Sequence, residues 1–515
     1  MKTHVKSPSS QTRPEVPTVA KLLAAANLTV PDGIDSEASV SLVTDDSRQV
    51  TSGAIFIAVP GSKVDGRRFI AQAVEKGAAL IVTEPSPELA MDTLVVPVAL
   101  AEDVRRVMAL MAHAFHGWPA RGLQTIGVTG TNGKTTMTYL IEGVLHAAGN
   151  EVGVIGTIES RLGERQWPAP VTTPGAIALA GLIAEMRADG AGALVMEVSS
   201  HAIDQQRVAG ISFDAGVFTN VTQDHLDYHG SMENYAAVKR RFFTDIVAAP
   251  PGGRAIVNID DSVGVAIAEV FEGPVVTYGR RAGANIRIRE ERFAPDGTHM
   301  DLTVLGEPWS LRTPLLGPGT GMNVAALTAW AQSAGFSRDA IQQGLAAVSA
   351  VPGRFERVDE GQPFLVLVDY SHTPAALEGA LQRCAELKGE EGRVIVAFGC
   401  GGDRDRLKRA IMGEAAGRGA ELVWLTSDNP RTEDPAAIAA MAEEGLRRSG
   451  HSDESITVRL DRRRAIEGAL ASAREGDVVL IAGKGHETYQ EIGTERFPFD
   501  DRDVARQWLL ERGGR

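Results

Sequence analysis

A glycine-rich turn, "GTNGKTT", stands between a strand pattern and a helix pattern in "TIGVTGTNGKTTMTYLIEGVLHAAG". Gly130 and Gly133 would allow backbone N–H groups to approach phosphate oxygens closely. Lys134 would bring positive charge to the β- and γ-phosphates, and the Thr135 hydroxyl could bind magnesium. The spacing departs from the general phosphate-loop pattern because Val128 stands where its first glycine is expected, and a plain strand–turn–helix is the alternative. The turn predicts a nucleotide-binding site.

Acidic and imidazole side chains follow two further strand patterns. Glu197 ends the apolar stretch "ALVME", and a carboxylate at a strand tip beside a phosphate loop is suited to hold magnesium. His225 and His229 stand four residues apart in "DHLDYHG", which could indicate zinc, but no clear third ligand follows. A hydrogen-bonded structural histidine is the more common role. Lys239, taken in isolation, would be a solvated lysine on a helix.

An arginine-bearing turn, "TSDNPRTEDP", links the strand pattern "ELVWL" to the helix pattern "AAIAAMAEEGL". Asp434 can cap that helix, with Pro435 in its first turn. These roles leave the segment from Asp428 to Arg431 unexplained, although it holds an acid, an amide and a guanidinium at a strand end. The question is whether Arg431 only belongs to a connection or binds a ligand.

The whole chain bounds the answer. It has 515 residues, too many for one ordinary core, so the length predicts about three domains. Its net charge of −14 argues against general nucleic-acid binding. Two cysteines, Cys384 and Cys400, provide no disulfide framework and suit a reducing cytoplasm. The N-terminus lacks the apolar core of a signal peptide, and no apolar run is long enough to span a bilayer.

The order of strand and helix patterns predicts an α/β fold with three domains. A mobile tail, residues 1–17, would precede a first domain over 18–120, which ends in the polar linker "HGWPARG". A central domain over 121–350 would hold a phosphate-loop ATPase-type, mostly parallel sheet. A Rossmann-like domain over 351–515 carries four apolar strand patterns, "FLVLVDY", "RVIVAFG", "ELVWLT" and "DVVLIAG". Ligands of such sheets bind at the carboxyl ends of strands, where every motif above lies.

The motifs "GTNGKTT", "MEVSSH" and "FTN…DHLDYHG…YAAVK" resemble those of the Mur ligases and their relatives, the folylpolyglutamate synthetases. These enzymes use ATP to join a carboxylate to an amine. The resemblance implies that Glu197 and His225 help to hold a second magnesium ion and that Lys239 is carbamylated to N6-carboxylysine. A bare ammonium beside magnesium and ATP would add repulsion and supply no oxygen ligand. With Lys134, these residues are the expected catalytic set, and Thr135 joins them as a metal ligand.

The resemblance also implies an ATP site at the phosphate loop and beyond it. Its expected residues are Gly130, Thr131, Asn132, Gly133, Lys134, Thr135, Thr136, Asn220, Asn323, Arg354 and Asp369. One loop departs from the family pattern, because Gly319-Thr320 replaces an aromatic residue followed by asparagine. The resemblance therefore assigns no adenine contact to Gly319 or Thr320, and a flexible turn is a sufficient explanation of this loop.

A uridine-nucleotide site is implied by the resemblance of "VTDDSRQVTSGAIFIAVPGSKVDGRRF" to the first domain of one branch of the family. Taken alone, Asp46-Ser47-Arg48 would rather indicate a turn with a salt bridge. Hydroxyls, an amide and a guanidinium suit the acetamido, lactyl and carboxylate groups of a sugar-peptide substrate. The expected contacts are Asp45, Ser47, Ser62, Lys63, Val64, Thr172, Thr173, Ser199, Gln205 and Arg207, while Val171 replaces a polar residue often found before the threonines.

The motif Asp-Asn-Pro-Arg resembles the branch that adds meso-diaminopimelate as the third residue of the bacterial cell-wall peptide. The distal carboxylate of this amino acid could form a bidentate pair with Arg431, and its distal ammonium could meet Glu487 and the backbone oxygen of Gly483. Lysine lacks that carboxylate and would leave the arginine desolvated and unpaired. The expected contacts are Arg404, Asp428, Asn429, Pro430, Arg431, Gly483 and Glu487.

The resemblance thus implies a magnesium-dependent ATP ligase of peptidoglycan synthesis. It would join meso-diaminopimelate to the D-glutamate carboxylate of UDP-N-acetylmuramoyl-L-alanyl-D-glutamate through an acyl phosphate. We expect a cytoplasmic monomer with no nucleic-acid partner and no membrane insertion. The alternatives are the same ligation with L-lysine, a folylpolyglutamate synthetase, in which "DDSR" and "DNPR" have no role, and a catalytically silent nucleotide-binding regulator.

Overall fold

The computed structural model describes residues 16–61, 64–86, 95–248, 252–294 and 296–513. The described chain divides into two compact units. The first unit contains the described residues up to 134 together with 149–257 and 261–275, and the second contains 135–148, 258–260 and the residues from 276 onward. The domain boundaries given above stay predictions.

The first unit begins with a small parallel sheet of strand order β1-β2-β3-β4. Its strand β2 is buried along its whole length, and alternate side chains enter opposite faces. Ile55 and Ile57 pack in the cluster that holds Leu22 and Met108, whereas Phe56 packs with Ile70. Helices therefore cover both faces, as parallel sheets require. The elements are α1 (Val19–Ala25), β1 (Val43–Thr44), β2 (Ala54–Ala58), a 3-10 turn (Gly66–Phe69), α2 (Ile70–Glu75), β3 (Ala78–Thr83), β4 (Val98–Leu100) and α3 (Val104–Phe115).

A second sheet of the first unit carries the central motifs, and β11, β10, β5, β9 and β6 lie side by side in this order. The pairs between β10, β5, β9 and β6 and between β10 and β11 are parallel, while β7 and β8 extend the sheet antiparallel. The elements are β5 (Gln124–Thr129), α4 (Lys134–Ala147), which passes into the second unit, β6 (Val152–Ile155), β7 (Ser160–Leu162), β8 (Arg165–Trp167), α5 (Ala176–Ala188), β9 (Ala193–Glu197), α6 (Ser200–Asp204), β10 (Ala215–Phe218), α7 (Leu226–His229), α8 (Met232–Arg241), a π-helix (Phe242–Val247), β11 (Arg254–Asn258) and α9 (Ser262–Val270).

The second unit opens with a mainly antiparallel group of strands that the sequence analysis did not distinguish. β13, β14 and β15 pair antiparallel, and β12 pairs parallel with β13. The two-residue connection Leu305-Gly306 has positive φ at both positions, 50° and 97°, which suits a tight hairpin turn. The elements are β12 (Val275–Gly279), β13 (Ile286–Ala294), β14 (Gly297–Val304), β15 (Glu307–Thr313), α10 (Thr320–Ser333) and α11 (Arg338–Ala347).

The C-terminal sheet has the order β16-β17-β21-β18-β19-β20, and its four central strands are the four predicted from the sequence. Only β16 runs antiparallel, at one edge. The predicted helix start at Asp434 is confirmed, since its side chain accepts a capping hydrogen bond before Pro435. Thr373 caps α12 before Pro374 in the same way. The elements are β16 (Glu356–Val358), β17 (Leu365–Asp369), α12 (Pro374–Leu387), β18 (Val394–Phe398), α13 (Leu407–Gly419), β19 (Leu422–Leu425), α14 (Pro435–Arg448), a 3-10 turn (Asp453–Ser455), β20 (Ile456–Val458), α15 (Arg462–Ala471), β21 (Val478–Ala482), the hairpin β22 (Tyr489–Ile492) and β23 (Glu495–Pro498), and α16 (Asp501–Gly513).

The predicted α/β class with parallel sheets is confirmed. Both cysteines are buried and free. Burial raises the pKa of the Cys384 thiol, and it raises that of Cys400 to about 12. Among the described helices, none combines the length and the apolar character that crossing a membrane requires.

Candidate active site

Three neighbouring strands bring the central motifs to one sheet edge. Phe218 at the end of β10 pairs with Thr129 at the end of β5, and Val128 of β5 pairs with Glu197 at the end of β9. The phosphate loop after β5 therefore lies between the segments that follow β9 and β10. The prediction that these motifs converge at the carboxyl ends of strands is confirmed within this unit.

The phosphate loop is held from β10. Asn220 binds Asn132 twice, accepting from its backbone N–H at 3.0 Å and donating to its carbonyl at 3.1 Å. Thr219 Oγ1 also donates to the Asn132 carbonyl, at 2.7 Å. Gly130 has a φ of 146°, and a Cβ there would collide with the Thr219 side chain. The backbone at Gly130 thus requires glycine, and Asn220, which was expected to contact ATP, braces the loop in this structure.

Lys134 begins α4, and its ammonium lies back over the loop. Its Nζ donates to the carbonyls of Gly130 and Thr131 at 3.0 and 2.9 Å. Thr135 is buried, and Thr136 is half-buried. These positions follow the strand–turn–helix order that the sequence predicted.

Lys239 lies on α8 and is buried. It is 1% exposed, so the interpretation as a solvated lysine is wrong. Its Nζ donates to the Gly130 carbonyl at 2.8 Å and lies 4.6 Å from the centre of the Tyr235 ring. Burial, with the nearby positive charge of Lys134, lowers the pKa of Lys239 well below its usual value near 10.5. The amine is therefore biased toward its neutral, nucleophilic form.

Glu197 is 1% exposed and is held by a residue that the sequence analysis missed. The backbone N–H of Thr157 donates to Oε1 at 2.8 Å, and its hydroxyl donates to Oε2 at 3.0 Å. Thr157 follows β6, the strand next to β9. Because ligands of parallel sheets bind at the carboxyl ends of strands, this position could have identified Thr157 as a site residue from the sequence.

The histidines near α7 form an aromatic group. The ring of His201 lies 5.0 Å from that of His225 and 5.7 Å from that of His229. His229 is buried and its Nε2 lies 2.9 Å from Ser200 Oγ, which confirms a structural hydrogen bond for this residue. His225 has a positive φ of 53° just before α7. No cluster of three or more His, Cys, Asp or Glu side chains suited to a metal ion occurs in the described ranges.

The residues expected to hold the sugar-peptide substrate contact one another. Arg207 Nη1 donates to the Thr173 carbonyl at 2.7 Å, and its Nη2 donates to Gln205 Oε1 at 2.8 Å. The Ser199 side chain caps α6 by accepting the Ala202 N–H at 3.2 Å. Thr172 is half-buried, whereas Thr173 is fully buried. The structure thus brings together Thr172, Thr173, Ser199, Gln205 and Arg207.

The expected uridine contacts lie after β1 in the first sheet. Asp45 is exposed, while Ser47 is buried and donates to Gln72 Oε1 at 2.7 Å. The turn also contains the salt bridge between Arg48 and Asp46, at 2.8 Å, that the sequence suggested. Val64 is 58% exposed. Ser62 and Lys63 lie outside the described residues.

In the second unit, Arg354 Nη2 donates to Thr135 Oγ1 at 3.3 Å, and its guanidinium lies 4.7 Å from the centre of the Tyr370 ring. Asp369 at the end of β17 accepts the Phe355 N–H at 2.7 Å and also binds the Ser371 hydroxyl. Burial raises the pKa of the Asp369 carboxyl.

The departure at Gly319-Thr320 has a local cause. Gly319 is the N-cap of α10 with a φ of 78°, a conformation that an aromatic residue would adopt only with strain. Thr320 then begins the helix, and its hydroxyl donates to the Gly317 carbonyl at 2.6 Å. Asn323, one turn further along α10, is buried.

The turn after β19 is joined to the β22–β23 hairpin. Arg431 has a positive φ of 49°, and its backbone N–H donates to the Glu491 carbonyl at 3.0 Å, while Gly493 N–H donates to the Arg431 carbonyl at 2.8 Å. Its guanidinium donates from Nε to Glu491 Oε2 at 2.8 Å and from Nη1 to the Gly402 carbonyl at 2.7 Å. Two bonds fix the plane of the guanidinium, and in the described parts of the chain its Nη2 has no partner.

Glu487 is held beside the same turn. Its Oε2 accepts from Asn429 Nδ2 at 2.8 Å and from Lys484 Nζ at 2.9 Å. Lys484 is fully buried and also donates to Asn429 Oδ1 at 3.0 Å. Glu487 Oε1 accepts no hydrogen bond from the residues that the structure describes. An amide and a lysine therefore orient this carboxylate and leave one oxygen available.

The remaining expected acceptor contacts surround this pair. A Cβ on Gly483, whose φ is 116°, would lie 2.6 Å from Asp428 Oδ2. One on Gly401 would lie 3.3 Å from Arg431 Nη1 and 3.8 Å from Arg404 Cγ, so both arginines border the same glycine. Arg404 is exposed, and Pro430 is buried. The structure brings Asp428, Asn429, Pro430, Arg431, Gly483 and Glu487 together, and adds Lys484 and Glu491.

Three family models match the chain: Mur ligase family, catalytic domain, over residues 39–116; Mur ligase middle domain, over 128–331; and Mur ligase, glutamate ligase domain, over 353–485. A UDP-N-acetylmuramoyl-L-alanyl-D-glutamate–2,6-diaminopimelate ligase from Geobacillus thermodenitrificans is 45% identical over 470 residues, which cover 91% of this chain and 94% of the relative.

Solved structures agree with these matches. A ligase of the same description has a TM-score of 0.71 at 32% identity, with coverage of 96% of this chain and 100% of that chain. A MurF ligase from Thermotoga maritima in complex with ADP has a TM-score of 0.59 at 19% identity, covering 91% and 96%. The predicted three-domain organisation is confirmed, and the chain is a member of the Mur ligase family.

Proposed function

We propose that this Mur ligase uses ATP to join meso-diaminopimelate to the D-glutamate carboxylate of UDP-N-acetylmuramoyl-L-alanyl-D-glutamate, in peptidoglycan synthesis. One observation carries the choice of acceptor. Among the described residues, nothing bonds to Nη2 of Arg431 or to Oε1 of Glu487. Asn429 connects the two side chains, since it belongs to the arginine turn and binds the Glu487 carboxylate at 2.8 Å.

The Arg431 guanidinium and the Glu487 carboxylate, connected through Asn429, suit the distal end of meso-diaminopimelate, which carries a carboxylate and an ammonium. Glu491 already occupies Nε of Arg431, so the carboxylate would bind the two Nη atoms at the end of the guanidinium. Glu487 would accept from the ammonium, together with the Gly483 carbonyl, and Arg404 would hold a further carboxylate. Asp428, Asn429 and Pro430 would shape the turn.

L-Lysine as acceptor is not favoured. It has no distal carboxylate, so its binding would bury Nη2 of Arg431 without a partner from the ligand, which costs a few kcal/mol. The diaminopimelate ligase from Geobacillus thermodenitrificans, at 45% identity, agrees with this choice. The folylpolyglutamate synthetase and the silent regulator are also less well supported, because neither explains the arrangement around Arg431.

Lys239 would carry a carbamate. Its amine is buried and its pKa is lowered, so a neutral nitrogen can attack carbon dioxide, form an N–C bond and release a proton. The product, N6-carboxylysine, places two oxygens where an ammonium stood. That exchange relieves the repulsion between Lys239 and Lys134.

The expected metal ligands suit magnesium better than a metal whose ligands all come from the protein. Magnesium takes one or two carboxylates and completes its shell with phosphate and water oxygens, which agrees with the lack of a three-ligand cluster in the described chain. Thr135, Glu197, His225 and the Lys239 carbamate would hold it. When bound, the ion neutralises charge on the transferring phosphoryl group.

The chain's own groups would position the reactants. Gly130 to Thr136 would bind the phosphates of ATP, with the Lys134 ammonium leaving its loop carbonyls to pair with the γ-phosphate. The D-glutamate carboxylate attacks that phosphate to give an acyl phosphate and ADP. The acceptor amine then attacks the acyl carbon and expels phosphate, losing a proton. Asn220, Asn323, Arg354 and Asp369 would complete the nucleotide site.

The UDP-substrate would be held by Asp45, Ser47, Ser62, Lys63, Val64, Thr172, Thr173, Ser199, Gln205 and Arg207. We propose that the enzyme acts as a cytoplasmic monomer, since its substrates are a UDP-activated precursor, a free amino acid and ATP. Its activity would support cell shape and division through the cell wall.

The decisive experiment is mass spectrometry of the products formed from the UDP-dipeptide, ATP and an equimolar mixture of meso-diaminopimelate and L-lysine. We expect the diaminopimelate product almost alone, with ADP released in equal amount. A predominant lysine product would overturn the acceptor assignment, and ADP release that does not depend on any acceptor would overturn the ligase reaction.

A further inference from the structure

Glu197 and the substrate-side threonines are connected through Thr157. The carboxylate of Glu197 receives two hydrogen bonds from Thr157, N–H to Oε1 at 2.8 Å and Oγ1–H to Oε2 at 3.0 Å. A Cβ on Gly156 would lie 2.7 Å from Oε1, so the backbone approaches the carboxylate as closely as only glycine allows. The Thr157 Oγ1 also lies 3.1 Å from Thr172 Oγ1.

The number of hydrogens that each hydroxyl can donate fixes the direction of the hydrogen bonds from Thr172 through Thr157 to Glu197. A threonine hydroxyl has one hydrogen to donate and two lone pairs that accept. Thr157 donates its hydrogen to Oε2 of Glu197 at 3.0 Å. The hydrogen between the two hydroxyls must then come from Thr172. Thr172 has no further hydrogen, so its oxygen offers only lone pairs to a ligand.

The neighbouring threonine does not share this property. Thr173 is fully buried, and its hydroxyl donates to the Glu197 carbonyl at 2.8 Å and accepts the Ser199 N–H at 3.1 Å. Its hydroxyl is therefore engaged within the protein. Thr172 is only half-buried, so of the two hydroxyls it is the one that a substrate can reach.

We propose that Thr157 is a positioning residue that makes Thr172 an obligate acceptor, and that Thr172 reads an amide N–H of the UDP-dipeptide. The proposal rests on the proposed function, and it adds the polarity of one contact. An ester oxygen or a carboxylate facing Thr172 would meet lone pairs and be rejected.

The test is binding of the UDP-dipeptide to the full-length protein by calorimetry, without ATP or magnesium. Three analogues replace one N–H each by oxygen: in the acetamido group, in the lactyl–alanyl bond and in the alanyl–glutamyl bond. We expect one analogue to bind the wild type about five- to tenfold more weakly than the parent. For Thr172→Val, the Kd of that analogue and the Kd of the parent should differ by less than about twofold. Thr172→Ser should keep the difference in Kd that the wild type shows.

Thr157→Val should also narrow the discrimination, since the Thr172 hydrogen is then free to turn toward the ester, and Thr157→Ser should restore it. Thr298→Val is the matched control, because it removes another buried hydroxyl, which donates to the Leu315 carbonyl at 2.6 Å, and should leave the discrimination unchanged.

Two results would count against the proposal in different ways. If the wild type binds the parent but gives the same Kd for all three analogues, the inference is overturned and the proposed function stands. A wild type that fails to bind the parent would overturn both. Equal discrimination in Thr157→Val and wild type would remove Thr157 from the selection.

Discussion

Lys239 and Arg431 are both cations at strand-end sites, but the molecule treats them in opposite ways. Lys239 is 1% exposed, and among the described residues no carboxylate lies within salt-bridge distance of it. Its ammonium nitrogen instead donates to the Gly130 carbonyl and lies over the Tyr235 ring. Arg431 is paired with Glu491 at 2.8 Å and fixed further by the Gly402 carbonyl.

The difference follows from what each group can do with its proton. A lysine that is buried without a counter-ion releases its proton and becomes a nucleophile, whereas an arginine stays charged in any protein environment. Burial therefore favours the neutral amine that the proposed carbamylation of Lys239 requires. The carboxylate of Glu491 instead holds the planar guanidinium of Arg431 in one orientation, which would favour the proposed binding of a ligand carboxylate.

The largest effect should come from removing the reactive amine. Lys239→Ala and Lys239→Arg should each lower kcat by about 10²- to 10³-fold, since neither variant can form a carbamate. Added bicarbonate should not help, whereas short carboxylic acids should restore part of the activity of the alanine variant. Arg240→Ala, an exposed neighbour on α8, is the control and should retain normal turnover. Near-normal turnover in Lys239→Ala would remove the carbamate from the mechanism.

Replacing Arg431 should have a smaller and more selective effect on activity. Arg431→Ala and Arg431→Lys should lower kcat/KM for meso-diaminopimelate about 10- to 100-fold, because a charged hydrogen bond is lost or loses its planar fork. L-Lysine should suffer much less, and the binding of ATP and UDP-dipeptide should stay nearly intact. The measurement is kcat/KM for both amino acids. Equal proportional losses would mean that Arg431 only supports the turn.

Weakening the partner of the arginine should have a smaller effect again. Glu491→Gln keeps an acceptor for Nε but removes the charge, so we expect the KM for meso-diaminopimelate to rise about 3- to 10-fold with kcat little changed. Glu495→Gln, an exposed acid in the same hairpin, is the control. If both variants behave alike, Glu491 has no part in orienting the guanidinium.

The smallest effect concerns stability. The folded state holds Lys239 with a lowered pKa, so the unfolded chain binds more protons between that value and about 10.5. The free energy of unfolding should therefore rise with pH across this window. Lys239→Met should be more stable than wild type at neutral pH, and the gap should shrink as the pH approaches 10.5. Unfolding curves in buffer free of carbon dioxide would check this, and a pH-independent gap would contradict it.

Local order made part of this site predictable. Glu197 ends β9, Lys134 begins α4 after the short turn that follows β5, and the caps at Thr373 and Asp434 need only adjacent residues. The contacts that give these groups their properties join positions far apart in the sequence. The separation is 109 positions for Lys239 and Gly130, 60 for Arg431 and Glu491, and 40 for Thr157 and Glu197. Tertiary contacts decide burial and partner, so the sequence alone suggested an exposed Lys239 and overlooked Thr157, Lys484 and Glu491.

The two buried cysteines have a practical consequence. Cys384 and Cys400 both lie in the core of the C-terminal sheet, with their pKa values raised by burial, so thiolate-directed reagents should leave the native protein unmodified. A single cysteine introduced at exposed Glu495 would then be the one rapid labelling site. A fluorophore attached there would report, as a change in emission, whether the hairpin that carries Glu491 shifts when the acceptor binds.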